Sequence, residues 1–249
     1  MKKNLSDESR FKGIKIAITG ANGSLGKSLI EVLKKKGAYV VGLTHDKRNI
    51  SDSCKSTPDD WILWSCGKEE LLARSLTSID ILILNHGFNP KQMIDSNAIN
   101  KAIEINSLSH WRLIELFENL ALSNNLNNCN PKEVWVNTSE AEIQIAFSPV
   151  YETTKRLIGE LVSLKKSKLL MGTRNAFTIK KLILGPFKSK LNQQGILKPE
   201  FVARKIIQKA EKNNYLIIVS PNPLTYLVMP IVESMRILYS RFINKIYSS

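Results

Sequence analysis

GIKIAITGANGSLG, Gly13 to Gly26, decides the fold. Its first half, Gly13 to Thr19, is a short isoleucine-rich apolar run, the pattern of a strand buried on both faces. The run stops at a glycine cluster, after which Leu25, Leu29, Ile30 and Leu33 recur at helical spacing up to Gly37, where a C-terminal cap belongs. A strand delivered through bare backbone into a helix has a physical use. Unencumbered N–H groups and the positive end of the helix can hold a pyrophosphate. Gly20, Gly23 and Gly26 supply the tight turn, the close approach to a ligand and the close packing of the helix, and Asn22, Ser24 and Leu25 complete the cradle.

Outward from this unit the alternation repeats. Strands are expected at Ala38 to Thr44, Trp61 to Cys66, Ile79 to Asn85, Glu133 to Thr138, Ala176 to Leu184 and Tyr215 to Ser220. Helical patterns cover Lys68 to Leu76, Ile99 to Leu122, Val150 to Leu170 and Pro199 to Lys212. This predicts an α/β fold: one doubly wound, Rossmann-type domain over residues 1–249, with a seven-stranded, mainly parallel sheet and helices on both faces. A C-terminal amphipathic tail, about 223–247, carries Leu227, Ile231, Met235, Leu238, Phe242 and Ile246 on one stripe, and Pro230 is expected to bend it. Docking of that stripe on its own domain or on a second subunit is preferred to a membrane surface.

The 249 residues, 43% hydrophobic and 23% charged, are enough for one sizeable core. The formal charge is +14, and most of the excess falls between Tyr151 and Asn214, where 15 Lys or Arg face 4 acids. No exposed aromatics interleave with that basic stretch, so a solvated surface is preferred to a nucleic-acid site. Cys54, Cys66 and Cys129 are far apart and in no zinc spacing, and His45, His86 and His110 are isolated, so no metal is expected. The polar, acidic start lacks a signal peptide's apolar stretch, and no apolar run approaches the ~18 residues of a spanning helix. A cytoplasmic protein is expected.

The end of the second strand reads Thr44-His45-Asp46-Lys47-Arg48. Thr44 stands where an acid would bond the ribose hydroxyls, and His45, Lys47 and Arg48 are candidate phosphate partners; Asp46 is the ribose ligand if the register slips by two. NADP is preferred, and NAD is possible. Farther on, Tyr151 and Lys155 are four apart at a helix start, hence on one face. An adjacent ammonium stabilises phenolate and lowers the tyrosine pKa toward proton exchange with a carbonyl or alcohol oxygen.

With the glycine turn, these residues make the chain resemble the short-chain dehydrogenase/reductase family from about Gly13 to Ser220. The matching pieces are TGANGSLG (Thr19 to Gly26), Leu84-Asn85-His86-Gly87, Asn106 within IEINSLSHW, Asn137-Thr138-Ser139, Tyr151-Glu-Thr-Thr-Lys155 and Leu184-Gly185-Pro186. The resemblance implies hydride transfer between a nicotinamide and a carbonyl or secondary alcohol, with Tyr151 as general acid and base. It implies that Lys155 lowers the Tyr151 pKa and binds ribose, that Ser139 holds the substrate oxygen, and that Asn106 supports a water path to Lys155. Asn85, His86 and Gly87 would lie along the adenosine half, and Pro186 near the nicotinamide. Relatives dimerise through the two long helices, so a homodimer or homotetramer is expected.

The chain also departs from the family. Ser24 replaces the usual middle glycine, a version commoner in the epimerase-like branch, and Ser65 or Cys66 takes the place of the adenine-contacting acid. Thr138, thirteen residues before Tyr151, competes with Ser139, twelve before it, as the substrate hydroxyl; Ser139 is chosen because the strand should end near Thr138. The stretch from Phe187 to Lys198 is a short substrate loop. Two alternatives follow from these departures: a cofactor-binding sensor or scaffold without fast chemistry, and a sugar-nucleotide epimerase.

Overall fold

Isoleucine alternation in the first strand sets the layers. A computed structural model describes residues 9–46, 56–124, 131–172 and 176–247. In β1 (Lys15–Thr19), Ile16 and Ile18 face one side of the sheet and Ala17 the other. Both sides are buried, because a helix layer covers each. β2 (Tyr39–Thr44), β3 (Asp60–Leu63), β4 (Ile81–Leu84), β5 (Lys132–Asn137), β6 (Phe177–Leu184) and β7 (Leu216–Val219) complete a sheet of order β3-β2-β1-β4-β5-β6-β7. Every pairing is parallel, so the sheet is wholly rather than mainly parallel. Strand order reverses between β1 and β4, and ligands of such sheets bind in the crevice beyond the carboxyl ends at that point.

On the Ile16 side pack α1 (Ser24–Lys35) and α6 (Pro199–Ala210), burying Leu25, Leu29, Ile30, Val202 and Ile206. On the Ala17 side lie α4 (Ser109–Asn124) and α5 (Pro149–Met171), with Leu113, Phe117, Ile158 and Val162 in the core. The expected third strand stops at Leu63, leaving Ser65 and Cys66 in a loop. The helix expected over Lys68 to Leu76 is a 3-10 turn, Glu69–Leu72, followed by the single turn α2 (Ala73–Leu76). Tertiary bonds explain the break: the buried Glu69 carboxylate accepts from Gly67 N (3.0 Å), the Ser109 hydroxyl (2.6 Å) and Arg112 Nε (2.6 Å).

The long helix expected from Ile99 begins earlier, as α3 (Ser96–Ile103), capped by Asp95 accepting from Ala98 N at 3.0 Å. It passes through a π-helical turn, Glu104–Leu108, before α4. Such turns cluster at functional sites, and this one carries Asn106.

The tail departs most from expectation. α7 (Pro223–Tyr247) is a helix with Pro230 inside it, but its apolar stripe faces outward: Leu227, Ile231, Met235, Leu238, Phe242 and Ile246 are all more than half exposed. Its polar residues point in instead. Lys181 of β6, fully buried, donates to Glu233 (2.7 Å), the Gly159 carbonyl (2.9 Å) and the Ser163 hydroxyl (3.1 Å), and forms an ion pair with Glu142 (2.9 Å). Arg236 reaches Glu142 and Glu160, both at 2.7 Å, and the Tyr215 hydroxyl donates to Glu233 at 2.5 Å. A buried cation must be compensated, so α7 turns its carboxylate inward, which carries the stripe outward. Gly159 is required at this crossing, where a Cβ would stand 2.1 Å from the Glu142 carboxylate. Among the described residues, no helix is long and apolar enough to cross a membrane.

Replacing Lys181 with Met leaves Glu142 and Glu233 buried against weaker compensation. The expected loss is about 3–5 kcal/mol, read as a lower urea midpoint, the range for breaking buried pairs. A change under about 1 kcal/mol, the scale of an exposed pair, would show that the cluster carries no such weight.

Candidate active site

The glycine turn begins at Gly20, whose φ of +63° is left-handed and whose missing Cβ would lie 2.9 Å from His86 Cα. Gly23 N donates to Gly20 O (3.0 Å), and Gly23 then caps α1 with extended backbone and no side chain over the helix end. A Cβ on Gly26 would stand 2.3 Å from Gly20 O, so only glycine lets the helix approach this closely. The first turn of α1, with Ser24 and Leu25, holds no acid, leaving a bare, positive cradle of the kind a pyrophosphate fits.

At the end of β2 the Thr44 hydroxyl accepts from Asn22 Nδ2 (3.1 Å) and from Asp46 N (3.2 Å), tying the turn to the next strand. His45 is exposed beside it, and Lys47 and Arg48 lie outside the described residues. A pocket of about 410 Å³ opens here, lined by His45, Leu63, Trp64, Ser65 and Lys68 among others. Ser65 offers it a hydroxyl rather than an acid. The Cys66 thiol is pushed up by burial.

Amides lace the strand ends together. Asn85 N and His86 N donate to the Thr19 hydroxyl (2.9 and 3.3 Å), Asn85 Nδ2 donates to Gly20 O (3.3 Å), and Asn137 Nδ2 donates to Asn85 Oδ1 (3.0 Å). The His86 ring lies 2.8 Å from the Thr19 hydroxyl, stacks on His110 with centroids 4.0 Å apart, and meets Trp64 edge-on. Burial, then the charge of Lys155, pulls the His86 pKa down to about 3, so this ring is neutral at physiological pH.

Asn106 is wholly buried. Its side chain accepts from Phe88 N (2.7 Å) and donates to Phe88 O (2.7 Å) and the Thr154 hydroxyl (3.0 Å). It thereby clamps the loop after Gly87 to α5, one residue before Lys155. These bonds occupy its amide on positioning, whereas the resemblance implied a water path to Lys155.

Tyr151 and Lys155 share the first turns of α5. Lys155 Nζ donates to Asn137 O at 3.0 Å and lies 5.5 Å from the Tyr151 ring centroid. The Ser139 side chain lies near enough to Tyr151 to favour its phenolate, and its Oγ accepts from Ala141 N at 3.1 Å. Thr138 turns away, its hydroxyl donating to Leu182 O at 3.1 Å inside the sheet. Pro186 O accepts from Ile196 N (2.8 Å) and Leu197 N (3.1 Å), folding the loop that follows β6 back on its own base.

The expected acidification of Tyr151 is not what these surroundings produce. Burial pushes its pKa up to about 12, with Ser139 opposing, and burial pushes Lys155 down to about 8. The low polarity that disfavours phenolate also disfavours the ammonium that would stabilise it. Composition did not flag Glu140, which accepts from the Ser220 and Thr225 (3.1 Å) hydroxyls and ties the Ser139 turn to the start of α7. Its position directly after Ser139 was the available signal.

Lys155 is buried with a folded pKa below its ordinary 10.5, so the unfolded chain binds more protons between pH 8 and 10.5 and stability rises with pH there. Below pH 8 the full penalty is present. From pH 8 to 10 the wild type should gain about 2 kcal/mol relative to Lys155→Met in paired urea titrations. Parallel curves would show that Lys155 keeps its ordinary pKa.

No protein-family model matches the chain. It is 40% identical over 245 residues to the monoglucosyldiacylglycerol epimerase of Synechocystis sp. (strain ATCC 27184 / PCC 6803 / Kazusa), covering 98% of this chain and 58% of the relative's length. The chain thus spans under two thirds of the curated relative it matches. A short-chain dehydrogenase from Burkholderia cenocepacia J2315, solved in complex with NADP, superposes with a TM-score of 0.74 at 17% identity, over 93% of this chain and 98% of that one. A short chain dehydrogenase/reductase family protein superposes with a TM-score of 0.71 at 16% identity, over 84% and 97%. Sheet order, glycine turn and these superpositions agree: the chain has the fold of the short-chain dehydrogenases/reductases.

Proposed function

We propose that this chain is an NAD(P)(H)-dependent enzyme of the short-chain dehydrogenase/reductase family that moves hydride to and from a secondary alcohol carbon. One observation carries the reading: Ser139, Tyr151 and Lys155 stand together at the carboxyl end of β5, joined through Asn137 and Asn85 to the carbonyl of Gly20. A nicotinamide dinucleotide bound along that line supplies the hydride acceptor and donor. NADP is favoured over NAD because β2 ends in Thr44 rather than an acid, with His45 exposed next to it.

The residues divide the rest of the work. Ser139 donates to the substrate oxygen and fixes it beside Tyr151. In reduction Tyr151, protonated at rest, gives its phenol proton to the substrate oxygen as hydride reaches the carbon; in oxidation the Tyr151 phenolate takes the hydroxyl proton as the C–H electron pair leaves as hydride. Lys155 offsets negative charge on Tyr151, and Asn137 O holds its Nζ in place. Asn106 fixes the loop that flanks them.

The identity with a glycolipid epimerase favours a redox-neutral version of this chemistry, as does Ser24 in the glycine turn. Oxidation of a hexosyl hydroxyl to a ketone, followed by hydride return to the opposite face, inverts the carbon with no net redox change. The favoured substrate is therefore the sugar headgroup of a glucosyl lipid. Self-association through α4 and α5 would have to share α5 with α7, with Leu122, Leu157, Leu164, Leu170 and Met171 as exposed apolar contacts.

The test is incubation with monoglucosyldiacylglycerol in detergent and catalytic NADP, followed by chromatography of the headgroup sugar. An epimer of glucose is expected, falling by about 10²–10⁴-fold in Tyr151→Phe, the size of a general acid–base contribution. Carbonyl-dependent NADPH oxidation without an epimer would replace this reading with a net reductase. Turnover unchanged in Tyr151→Phe would overturn both.

A further inference from the structure

We propose that the outward face of α7, with the loop at Ile145 and Phe147, seats the mouth of the cleft on an anionic lipid surface. A helix on a soluble domain normally buries its apolar side, and α7 does the reverse. Leu224, Leu227, Ile231, Met235, Leu238 and Phe242 are more than half exposed, whereas Glu233 is buried and Arg236 is held by Glu142 and Glu160. Lys245 is the one charged residue among the exposed positions of α7. A contiguous apolar surface of this kind marks an interaction face.

The face continues to the cleft. Ile145 is 89% exposed and Phe147 98%, and both lie on the segment running from Ser139 to Tyr151. Gln144, next to them, donates to the Thr225 hydroxyl (2.8 Å) and accepts from Asn222 Nδ2 (2.9 Å), fastening this segment to the start of α7. Apolar side chains therefore border the cleft on the side where α7 begins.

Charge selects the occupant. Lys209 lies over the Tyr226 ring at 5.0 Å, with Lys205 close enough to feel its charge, while Lys166 stands near Arg241 farther along α7. Of the acids packed against α7, Glu142, Glu160 and Glu233 are committed to Lys181 or Arg236, and Glu140 accepts from the Ser220 and Thr225 hydroxyls at the start of the helix. A second copy pairing through this face would set these lysines near one another. Anionic headgroups around an inserted apolar ridge complement them, the arrangement of interfacial amphipathic helices. The inference deepens the glycolipid reading above, because such a substrate would reach the cleft from the layer it resides in, yet docking is read without turnover.

The full chain is to be floated with vesicles of phosphatidylcholine alone and with phosphatidylglycerol added. Binding to the anionic vesicles is expected, weakened by salt, and at least about tenfold weaker in Phe147→Ser/Leu227→Ser/Ile231→Ser as the inserted apolar area falls. An unchanged urea midpoint shows that the triple variant is folded. Three results would each overturn the proposal: no binding to either vesicle, binding the triple variant retains in full, or a dimer in light scattering that the triple variant dissolves. Loss of epimer formation with vesicle binding intact would instead remove the glycolipid reading and leave the docking face.

Discussion

A lysine ammonium buried on an inner strand of a β-sheet has to be answered from every side, and much of this architecture is that answer. Lys181 draws Glu142 from the segment after β5 and Glu233 from α7, and takes the Gly159 carbonyl and the Ser163 hydroxyl from α5. Three parts of the chain distant in sequence are thereby fixed against β6. The segment holding Glu142 is the one that presents Ser139, so the buried charge cluster and the Ser139 turn are consecutive pieces of a single stretch. Glu140, between them, adds its own bonds to Ser220 and Thr225. A cluster of this sort gives little net stability over an apolar core, but it specifies geometry.

The cleft follows a different rule, in which uncharged partners do the holding. Thr19, Asn85, Asn106 and Asn137 join the ends of β1, β4 and β5 and the π turn without placing a carboxylate near the nucleotide line. His86 stays neutral within this lattice. Such an interior, held by uncharged partners, suits an anionic ligand, and it accounts for the resting state of the pair on α5. Burial keeps Tyr151 protonated and makes Lys155 a weaker base.

Much of this was legible in the sequence, because it rests on local chemistry. The glycine turn announces itself through residues that tolerate no Cβ, and the parallel strands through apolar runs with no polar face. The Tyr151/Lys155 spacing needs only helical geometry. The end of β5 just before Thr138 could be read from the apolar run, and the Thr138 hydroxyl bonds Leu182 O inside the sheet. The direction of α7 could not be read, since its stripe is a sound amphipathic pattern and only the partner on β6 tells which side is inside. The π turn was hidden for the same reason, periodicity being too coarse to register one extra residue. The Tyr151 pKa depends on desolvation, which spacing does not encode.

That extra residue acts as a phase setting between two helices. α3 and α4 continue one another, and the turn at Glu104–Leu108 determines how far α4 is rotated relative to α3. Each residue advances a helix by about 100°, so deleting one from the turn would swing Leu113 and Phe117 out of the sheet's layer while withdrawing Asn106 from the loop after β4. Core packing and cleft geometry thus share one rotational constraint. The length of this stretch is therefore as constrained as its buried side chains.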